Sequence, residues 1–311
     1  TPTRNLAFDL VRVTEAAALA AGRMMGRGDK NGADKAAVDA MRVMLNSINM
    51  RGTIVIGEGE KDEAPMLYNG EKMGTGDGPE VDIAVDPIEG TRPLAYGLWN
   101  SISTVALAPR GTMFNPGPFV YMNKIAVGPV ARHTVDIDAP VDYNLNKVAK
   151  AKGVKVEDLT VVVLDRPRHE ELIAQIRAAG ARIKLIPDGD VAGAMMTSMG
   201  DNTADLLMGI GGTPEGVLAA AGLRGIGGEI VGKLHARNQR ELDLAKEMGV
   251  DFNKPLSMDD LISSENVFFA ATGITTGDFL IGVTYFKDGA RTDSVVMRGL
   301  SGTVRRVIST H

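Results

Sequence analysis

Residues 81–92 read VDIAVDPIEGTR, a stretch that begins like a buried strand and then stops abruptly. Apolar residues alternate up to Val85, which is typical of a strand in a sheet. Pro87 then removes a backbone donor and bends the chain, so we expect Asp86 and Glu89 to be directed beyond the strand end. Two carboxylates this close repel one another unless a cation neutralises them. The stretch therefore predicts a sheet with a cation site at one strand end.

Two other acidic segments fit the same interpretation. Asp34 opens the second predicted helix, and TIVIGEGE (53–60) ends a predicted strand with Glu58 and Glu60. The two glutamates are two residues apart, so they share a strand face, and the glycines beside them let another backbone segment or a ligand come close. An isolated GEGE is more simply a pair of solvated acids in a turn. The cluster at Asp86 favours a cation clamp.

The residues available for metal binding limit the kind of ion. The chain has no cysteine and 4 histidines that lie far apart, so thiolate and multi-histidine sites are excluded. Any metal site must use mainly oxygen ligands, which suits Mg²⁺ or Mn²⁺. Thr91 follows Glu89 by two residues; it is either an ordinary helix N-cap or a residue that orients a metal-bound water.

Composition narrows the class of protein. The 311 residues are 44% hydrophobic, enough for a substantial core, and 34 basic against 39 acidic residues give a net charge of -5. There is no basic run that could follow a nucleic-acid backbone. No apolar run approaches the ~20 residues that span a bilayer, and the first residues mix charge into their opening turns. We therefore expect a cytoplasmic protein that binds neither nucleic acid nor membrane.

The periodicity of the chain predicts an α/β fold in two parts. Residues 1–135 combine two helices with strand-like runs, which predicts helices packed on a mostly antiparallel sheet with the metal site. Residues 136–311 alternate strands and helices, as in a parallel α/β half with substrate-binding loops, and end in a strand-rich tail. No linker marks the change, so the expected boundary near 136 is soft.

The second part places charged pairs at strand ends. Arg166 and Arg168 flank Pro167, and Asp188 and Asp190 flank Gly189, where open α/β sheets bind their ligands. The arginines either hold a phosphate bidentately or form surface ion pairs with Glu170 or Glu171, and both interpretations remain open. Glu215 begins a helix, where an acid commonly just complements the helix dipole.

Eight segments, in order, resemble the bacterial class II fructose-1,6-bisphosphatase family of the lithium-sensitive sugar phosphatase superfamily. They are GRGDKNGAD, GTIVIGEGEKDEAPMLY, DIAVDPIEGT, YMNKIAVGP, LDRPRH, IPDGDVAG, GIGGTPEG and FFAATGIT, and they run through nearly the whole chain. The resemblance implies a layered αβαβα sugar phosphatase fold. It also implies Mn²⁺ or Mg²⁺ ligands at Asp34, Glu58, Asp86, Glu89 and Glu215.

The same resemblance implies contacts to a sugar phosphate and a catalytic group. The implied substrate-binding residues are Lys30, Glu89, Gly90, Thr91, Tyr121, Arg166, Pro167, Arg168, Asp188, Gly189, Asp190 and Gly212. Thr91 is expected to orient the attacking water with help from Glu60, Asp62 or Asp34. Arg166 and Arg168 are expected to hold the phosphate that is not cleaved.

The implied reaction is metal-dependent hydrolysis of the 1-phosphate of fructose 1,6-bisphosphate, as in gluconeogenesis. A sedoheptulose 1,7-bisphosphatase or an enzyme acting on both sugars is the nearest alternative. A non-catalytic sensor of sugar phosphate or divalent ions is a second, and strand-end acids that only interact with solvent are a third. A homo-oligomer is expected, because most soluble oligomers are symmetric assemblies of one chain.

Overall fold

The protein is described by a computed structural model over residues 5–59, 66–199 and 204–311. The helices in these ranges are α1 (Ala7–Gly22), α2 (Lys30–Asn46), α3 (Thr91–Tyr96), α4 (Val141–Lys152), α5 (Glu170–Ala178), α6 (Asp190–Met196), α7 (Thr213–Ile226), α8 (Gln239–Met248) and α9 (Met258–Leu261). The strands are β1 (Arg51–Ile56), β2 (Lys72–Met73), β3 (Glu80–Glu89), β4 (Ile102–Pro109), β5 (Tyr121–Val127), β6 (Thr160–Leu164), β7 (Arg182–Ile186), β8 (Leu206–Gly212), β9 (Glu229–Leu234), β10 (Phe268–Gly273), β11 (Thr284–Phe286), β12 (Gly289–Arg298) and β13 (Thr303–Thr310). Helices and strands are interleaved throughout, which confirms the predicted α/β class. No helix within these ranges is both long and apolar enough to cross a membrane.

The opening stretch forms β3, inside an eight-stranded sheet of order β11-β12-β10-β4-β3-β1-β2 with β13 paired to β12. β3 runs parallel to β1 and antiparallel to β4. The remaining pairs of this sheet are antiparallel over the described residues. Apart from the β1–β3 pair, this sheet is therefore antiparallel over the described residues.

Helices α1 and α2 pack against each other, and α1 also packs against this sheet. Their apolar stripes bury Leu10 and Met41 beside Ile83 and Leu107 of the strands, all four at 0% exposure. Apolar residues at helical spacing meet alternate residues of the strands, which is how a helix covers a sheet face. The core of this part lies between the two helices and the sheet.

The start of α2 differs from the prediction that Asp34 opens it. The helix begins at Lys30 because Asp29 is the N-cap, and its carboxylate accepts the N–H of Gly32 at 2.8 Å. An aspartate in the cap position satisfies an N–H that would otherwise lack a partner. Asp34 therefore lies inside the helix, past its first turn.

A second sheet has the order β7-β6-β8-β5-β9. β6 is parallel to both β7 and β8, as the alternating pattern predicted. β5 comes from an earlier part of the chain and pairs antiparallel with β8 and β9. Residues after 136 therefore supply the parallel strands, and β5 completes the sheet.

Helices cover both faces of this second sheet. Val161 and Val163 of β6 share a core with Leu145 of α4 and Ile176 of α5. Val162 points the other way, and a Cβ on Gly193 of α6 would lie 3.1 Å from its side chain. Strands buried on both faces read as continuous apolar runs, which explains the sequence TVVVL of β6.

The structure divides the chain at points that differ from the predicted boundary near residue 136. One unit comprises Thr1–Asn115 together with Ser264–His311, and the other is Pro116–Ser263. The tail joins the first unit because β10 pairs with β4. β5, which was expected in the first part, belongs to the second sheet. Local periodicity cannot reveal which distant strands will pair.

Candidate active site

The end of β3 positions Asp86 and Glu89 through a bulge rather than through the predicted turn. The strand continues past Pro87 to Glu89, and its register against β4 shifts between the two acids. Proline cannot donate to the ladder, so an irregularity at this point is expected. The Ile88 N–H donates to Asp86 Oδ1 at 3.1 Å, and Glu89 is only 3% exposed. Both carboxylates therefore have positions set by the strand backbone.

Thr91 is the first residue of α3, and its side chain reaches back toward α2. Its hydroxyl lies 3.0 Å from Asp34 Oδ1 and 3.2 Å from the Ile88 carbonyl, and it can donate to either. The N-cap interpretation of Thr91 is wrong, because Gly90 occupies the cap position with φ of 88°. Gly90 is suited to this left-handed conformation because it has no Cβ. The Thr91 hydroxyl is thus held beside a carboxylate.

Glu58 follows β1 in a loop that requires glycine on both sides. A Cβ on Gly57 would lie 1.9 Å from the Leu67 carbonyl, and Gly59 has φ of 126°. The Glu58 N–H donates to the same Leu67 carbonyl at 3.0 Å. The glycines of GEGE therefore let two backbone segments approach closely and hold Glu58 at the strand end.

The carboxyl groups of Glu58 and Asp34 both have raised pKa values. Burial raises the pKa of Glu58 to about 7, and the nearby Asp34 carboxylate adds to the increase. The Glu58 side chain remains exposed to solvent, so it is not a core residue. Its carboxyl group has lost only part of its hydration. Burial also raises the pKa of Asp34, against the Thr91 hydrogen bond and the Lys30 ammonium, which lower it. The contacts of each carboxylate therefore do not fully offset the hydration that its ionised form loses on burial.

In the second unit, the topology brings most of the predicted substrate residues to one sheet edge. Arg166 and Arg168 follow β6, Asp188 and Asp190 follow β7, and Gly212 ends β8. These three strands are parallel, so their carboxyl ends meet at the same edge. Tyr121 joins them because β5 runs antiparallel and pairs Tyr121 with Gly212.

The two arginines are held by partners other than the expected glutamates. Arg166 forms an ion pair with Asp188, and its guanidinium also donates to the Asp165 carbonyl at 2.9 Å. Arg168 donates twice to the Ile210 carbonyl, at 3.1 and 2.9 Å. Within the described ranges neither arginine pairs with Glu170 or Glu171. The surface ion-pair alternative is therefore wrong for those glutamates.

Tyr121 lies between two guanidinium groups. Arg168 is 5.4 Å and Arg237 is 5.8 Å from the centre of its ring. Arg237 is itself held by Glu241, whose carboxylate accepts from its Nε at 2.6 Å. Guanidinium groups over an aromatic ring keep a fixed orientation while their remaining N–H groups stay available. This edge of the sheet is cationic around one aromatic ring.

A lysine that the sequence analysis did not single out lies at the centre of this unit. Lys124 of β5 is 2% exposed; its Nζ is 2.7 Å from Asp190 Oδ2 and donates to the Gly212 carbonyl at 2.9 Å. A Cβ on Gly211 would lie 2.0 Å from Asp190 Oδ2, so the backbone here must be glycine. The buried Lys124 ammonium thus connects β5 to the start of α6 and to the end of β8.

Glu215, in the first turn of α7, is the least compensated carboxyl group of this cluster. Burial raises its pKa, the Asp190 carboxylate raises it further, and the Lys124 ammonium opposes the increase. Its Oε2 is buried and has no hydrogen-bond partner among the described residues. A buried polar atom without a partner calls for an explanation, such as a bound ion.

The donor groups fit a hard divalent cation in chemistry. The candidate ligands Asp34, Glu58, Asp86, Glu89 and Glu215 offer only carboxylate oxygens, which Mg²⁺ and Mn²⁺ prefer. Among the described residues, however, no three acidic or histidine side chains converge closely enough to hold one ion. Glu60 and Asp62 lie outside the described residues. The orphaned oxygen of Glu215 and the raised pKa of Glu58 each mark a carboxylate that a cation would stabilise.

His169 organises the strand ends that carry the arginines. Its ring is 1% exposed, and Nδ1 lies 2.7 Å from the Leu164 carbonyl while Nε2 accepts the Ile210 N–H at 2.8 Å. These contacts require the neutral tautomer with the proton on Nδ1. Burial is the main cause that lowers the pKa of His169, and Arg168 and Arg166 lower it further. The imidazole therefore connects β6 to β8 beside Arg168.

Three contributors were missed by sequence reasoning: Lys124, His169 and Arg237. A lysine within the apolar strand YMNKIAVG is a usable signal, because a charge at a buried strand position needs a partner. His169 and Arg237 had no such signal, since their contacts with Ile210 and with the Tyr121 ring join residues far apart in the chain. The structure places Lys30 on the surface at the start of α2, near Asp34, and its Nζ lies 5.8 Å from the centre of the Tyr96 ring.

Known proteins of one family match this chain over nearly its whole length. A family model described as bacterial fructose-1,6-bisphosphatase, glpX-encoded, matches residues 4–311. The chain is 49% identical to fructose-1,6-bisphosphatase 1 class 2 of Escherichia coli strain K12 over 321 aligned positions, 99% of this chain and 95% of that protein. Identity and coverage are the same for the class 2 fructose-1,6-bisphosphatases of Escherichia coli O6:H1 and Shigella flexneri.

Proposed function

We propose roles for two groups of site residues, the carboxylates with Thr91 and the sugar-phosphate contacts. The premise is that this chain belongs to the family of bacterial, glpX-encoded fructose-1,6-bisphosphatases. The protein is a phosphoric monoester hydrolase that converts fructose 1,6-bisphosphate to fructose 6-phosphate and phosphate. The observation that carries this conclusion is 49% identity over 99% of the chain. The residue roles that follow rest on the geometry of the described side chains.

The carboxylates are proposed to bind Mn²⁺ or Mg²⁺ through Asp34, Glu58, Asp86, Glu89 and Glu215. Such ions neutralise the phosphate charges that repel an incoming oxygen nucleophile, which is the main obstacle to monoester hydrolysis. The choice is supported by the oxygen-only donor set and by the buried, unpartnered Oε2 of Glu215. The effect of the Asp34 carboxylate, which helps to raise the pKa of Glu58, supports it as well.

Thr91 is proposed to orient the attacking water. With its proton directed at Asp34 Oδ1, 3.0 Å away, the Thr91 oxygen presents lone pairs that can accept a hydrogen bond from water. Asp34 is then the group that receives the hydroxyl proton, and its raised pKa makes it a better base. Glu60 and Asp62 remain proposed helpers. Gly90 leaves room for the phosphate that is cleaved, since it carries no side chain.

The second unit is proposed to hold the 6-phosphate and the sugar. Arg166 and Arg168 supply guanidinium donors that are already oriented by Asp188 and by the Ile210 carbonyl. A planar guanidinium suits bidentate phosphate binding. Tyr121 and Asp190 contribute at the same strand edge, together with the neighbouring residues Pro167, Gly189 and Gly212 that the family resemblance implies. Lys30, in the first unit, is a further sugar-phosphate contact that the resemblance implies.

The test is release of inorganic phosphate by the purified protein. Fructose 1,6-bisphosphate, sedoheptulose 1,7-bisphosphate and inositol monophosphate are compared side by side with Mn²⁺, Mg²⁺ or EDTA. We expect metal-dependent release that is fastest with fructose 1,6-bisphosphate, loss of release in Asp86→Asn, and normal release in the matched surface variant Asp77→Asn. A faster rate on sedoheptulose 1,7-bisphosphate would assign the alternative substrate, and no release with any metal would favour a sugar-phosphate sensor.

Metal binding is tested separately by thermal unfolding. A ligand that binds only the folded state stabilises it by about 2.7 kcal/mol at a concentration of ~100 times its dissociation constant. We therefore expect the melting temperature to rise with added Mn²⁺, and to rise less in Asp86→Asn. An unmoved melting temperature would favour acids that only interact with solvent. Cytoplasmic location, a homo-oligomeric state, the lack of nucleic-acid binding and the wider superfamily placement stay predictions.

A further inference from the structure

A second group of cations lies in the first unit, at the beginning of the strands whose far ends carry the candidate metal ligands. It lines a cavity of about 330 Å³ formed by Arg51, Lys72, Arg110, Glu80 and the adjoining glycines. That volume falls at the lower end of the ~300–1,000 Å³ typical of small-ligand pockets. Glu80 and Glu89 are the two ends of β3, about 30 Å apart at ~3.3 Å per residue. The cavity is therefore separate from the carboxylate cluster.

Two of these cations converge on one neutral hydroxyl. Lys72 Nζ donates to Thr53 Oγ1 at 2.7 Å, and the Arg110 guanidinium donates to the same oxygen. Thr53 is 9% exposed, and a hydroxyl cannot neutralise either charge. After accepting from both groups, it still has its own proton to donate. Two cationic side chains that line the cavity, Lys72 and Arg110, thus meet at one neutral oxygen.

The carboxylates nearby leave one positive charge uncompensated. Arg110 is paired with Asp82 at 3.0 Å, and Asp82 is buried and also accepts the Gly111 N–H at 2.7 Å. Arg51 is paired with Glu80 at 3.4 Å. Lys72 has no carboxylate within 4.0 Å in the part of the chain that the structure describes. The cavity therefore presents an excess of cationic donors.

We propose that this cavity binds a small phosphate-bearing ligand through Lys72, Arg110 and Arg51. An anion there would offset the repulsion between the charges of Lys72 and Arg110. It would also accept hydrogen bonds from their remaining N–H groups. Gly76 also lines the cavity and borders open space, since nothing lies within 4 Å of a Cβ placed on it. Free phosphate and the phosphate group of an ester offer the same chemistry, and the experiment distinguishes them.

The test measures protection of individual lysines in the full-length protein. Amine acetylation is followed by peptide mass spectrometry in EDTA, with increasing inorganic phosphate or a nucleoside monophosphate. We expect the acetylation rate of Lys72 to fall at least fivefold at saturation. Lys287 should not change, since it lies in the β11–β12 turn at the other edge of the same sheet. Half-protection at a tenfold lower concentration of the nucleoside monophosphate would identify an ester as the ligand, and equal values would identify free phosphate.

Calorimetric titration provides a second measurement that does not depend on labelling. We expect Lys72→Met and Lys72→Glu to weaken phosphate binding at this site at least tenfold, while Lys287→Met leaves it unchanged. Equal acetylation of Lys72 with and without either anion, or unchanged binding in both Lys72 variants, would overturn the proposal. Phosphate release from fructose 1,6-bisphosphate is assayed on the same preparations, so failure of this site is distinguishable from failure of the hydrolase.

Discussion

Replacing Lys124 by methionine removes the only charge that compensates two buried carboxyl groups among the residues described. Lys124 and Asp190 are 2% and 6% exposed, and the ammonium is 2.7 Å from Asp190 Oδ2. Breaking a buried ion pair by removing one partner costs roughly 3–5 kcal/mol, because the remaining charge stays buried. Methionine keeps most of the side-chain volume, so we expect the free energy of unfolding to fall by about that amount.

The assay is urea unfolding at neutral pH, in EDTA, with Lys233→Met as the control. Lys233 lies in β9 of the same sheet and pairs with Asp138 at the surface, where an ion pair contributes only about 0–1 kcal/mol. In the Lys124→Met background, Asp190→Asn removes the stranded carboxylate and should restore part of the loss. A loss for Lys124→Met within about 1 kcal/mol of that for Lys233→Met, or no recovery in the double variant, would refute the reasoning.

Three further outcomes are expected. Thr91→Val should lower kcat on the order of 100-fold or more by removing the hydroxyl, whereas Thr91→Ser retains most activity; equal kcat values for the two variants would contradict the water-orienting role. In EDTA, the protein should lose stability as pH rises from about 4.5 to about 7, because the raised pKa of Glu58 makes the folded state bind more protons than the unfolded one. Urea unfolding across this pH range checks the slope, which Glu58→Gln should reduce and Glu157→Gln, on the surface, should not. Arg168→Lys should raise KM at least tenfold with little change in kcat, because the planar donor pair is lost; steady-state kinetics with an unchanged KM would exclude a phosphate contact.

Much of the candidate site was predictable because its residues stand close together in the chain. VDIAVDPIEGTR places Asp86, Glu89 and Thr91 within six residues of one another. They therefore lie near each other whichever way this segment folds. The glycines beside Glu58 likewise predicted a close backbone approach, and the Leu67 carbonyl confirms it. The local details were less predictable: Gly90 rather than Thr91 caps α3, because a left-handed residue was needed at that position.

Partner choice could not be predicted where the partners are distant in sequence. The sequence analysis considered Glu170 and Glu171 as ion-pair partners of Arg166, yet Arg166 pairs with Asp188, which follows the next strand. β6 and β7 run parallel, so their carboxyl ends meet, whereas the first turn of α5 leads away from that edge. The same reason explains the tail, whose strand β10 joins β4 rather than the sheet nearer in sequence.

The sequence by itself determined the α/β class and the family to which the chain belongs, and it limited any metal site to mainly oxygen ligands. These properties depend on composition, periodicity and the order of short motifs, all of which are local. Only the tertiary structure decided that Lys124 is buried against Asp190, that Thr91 reaches Asp34, and that the tail completes the first unit. Each of these is a contact between segments far apart in the chain, and its free energy comes from burial and charge pairing that exist only after folding.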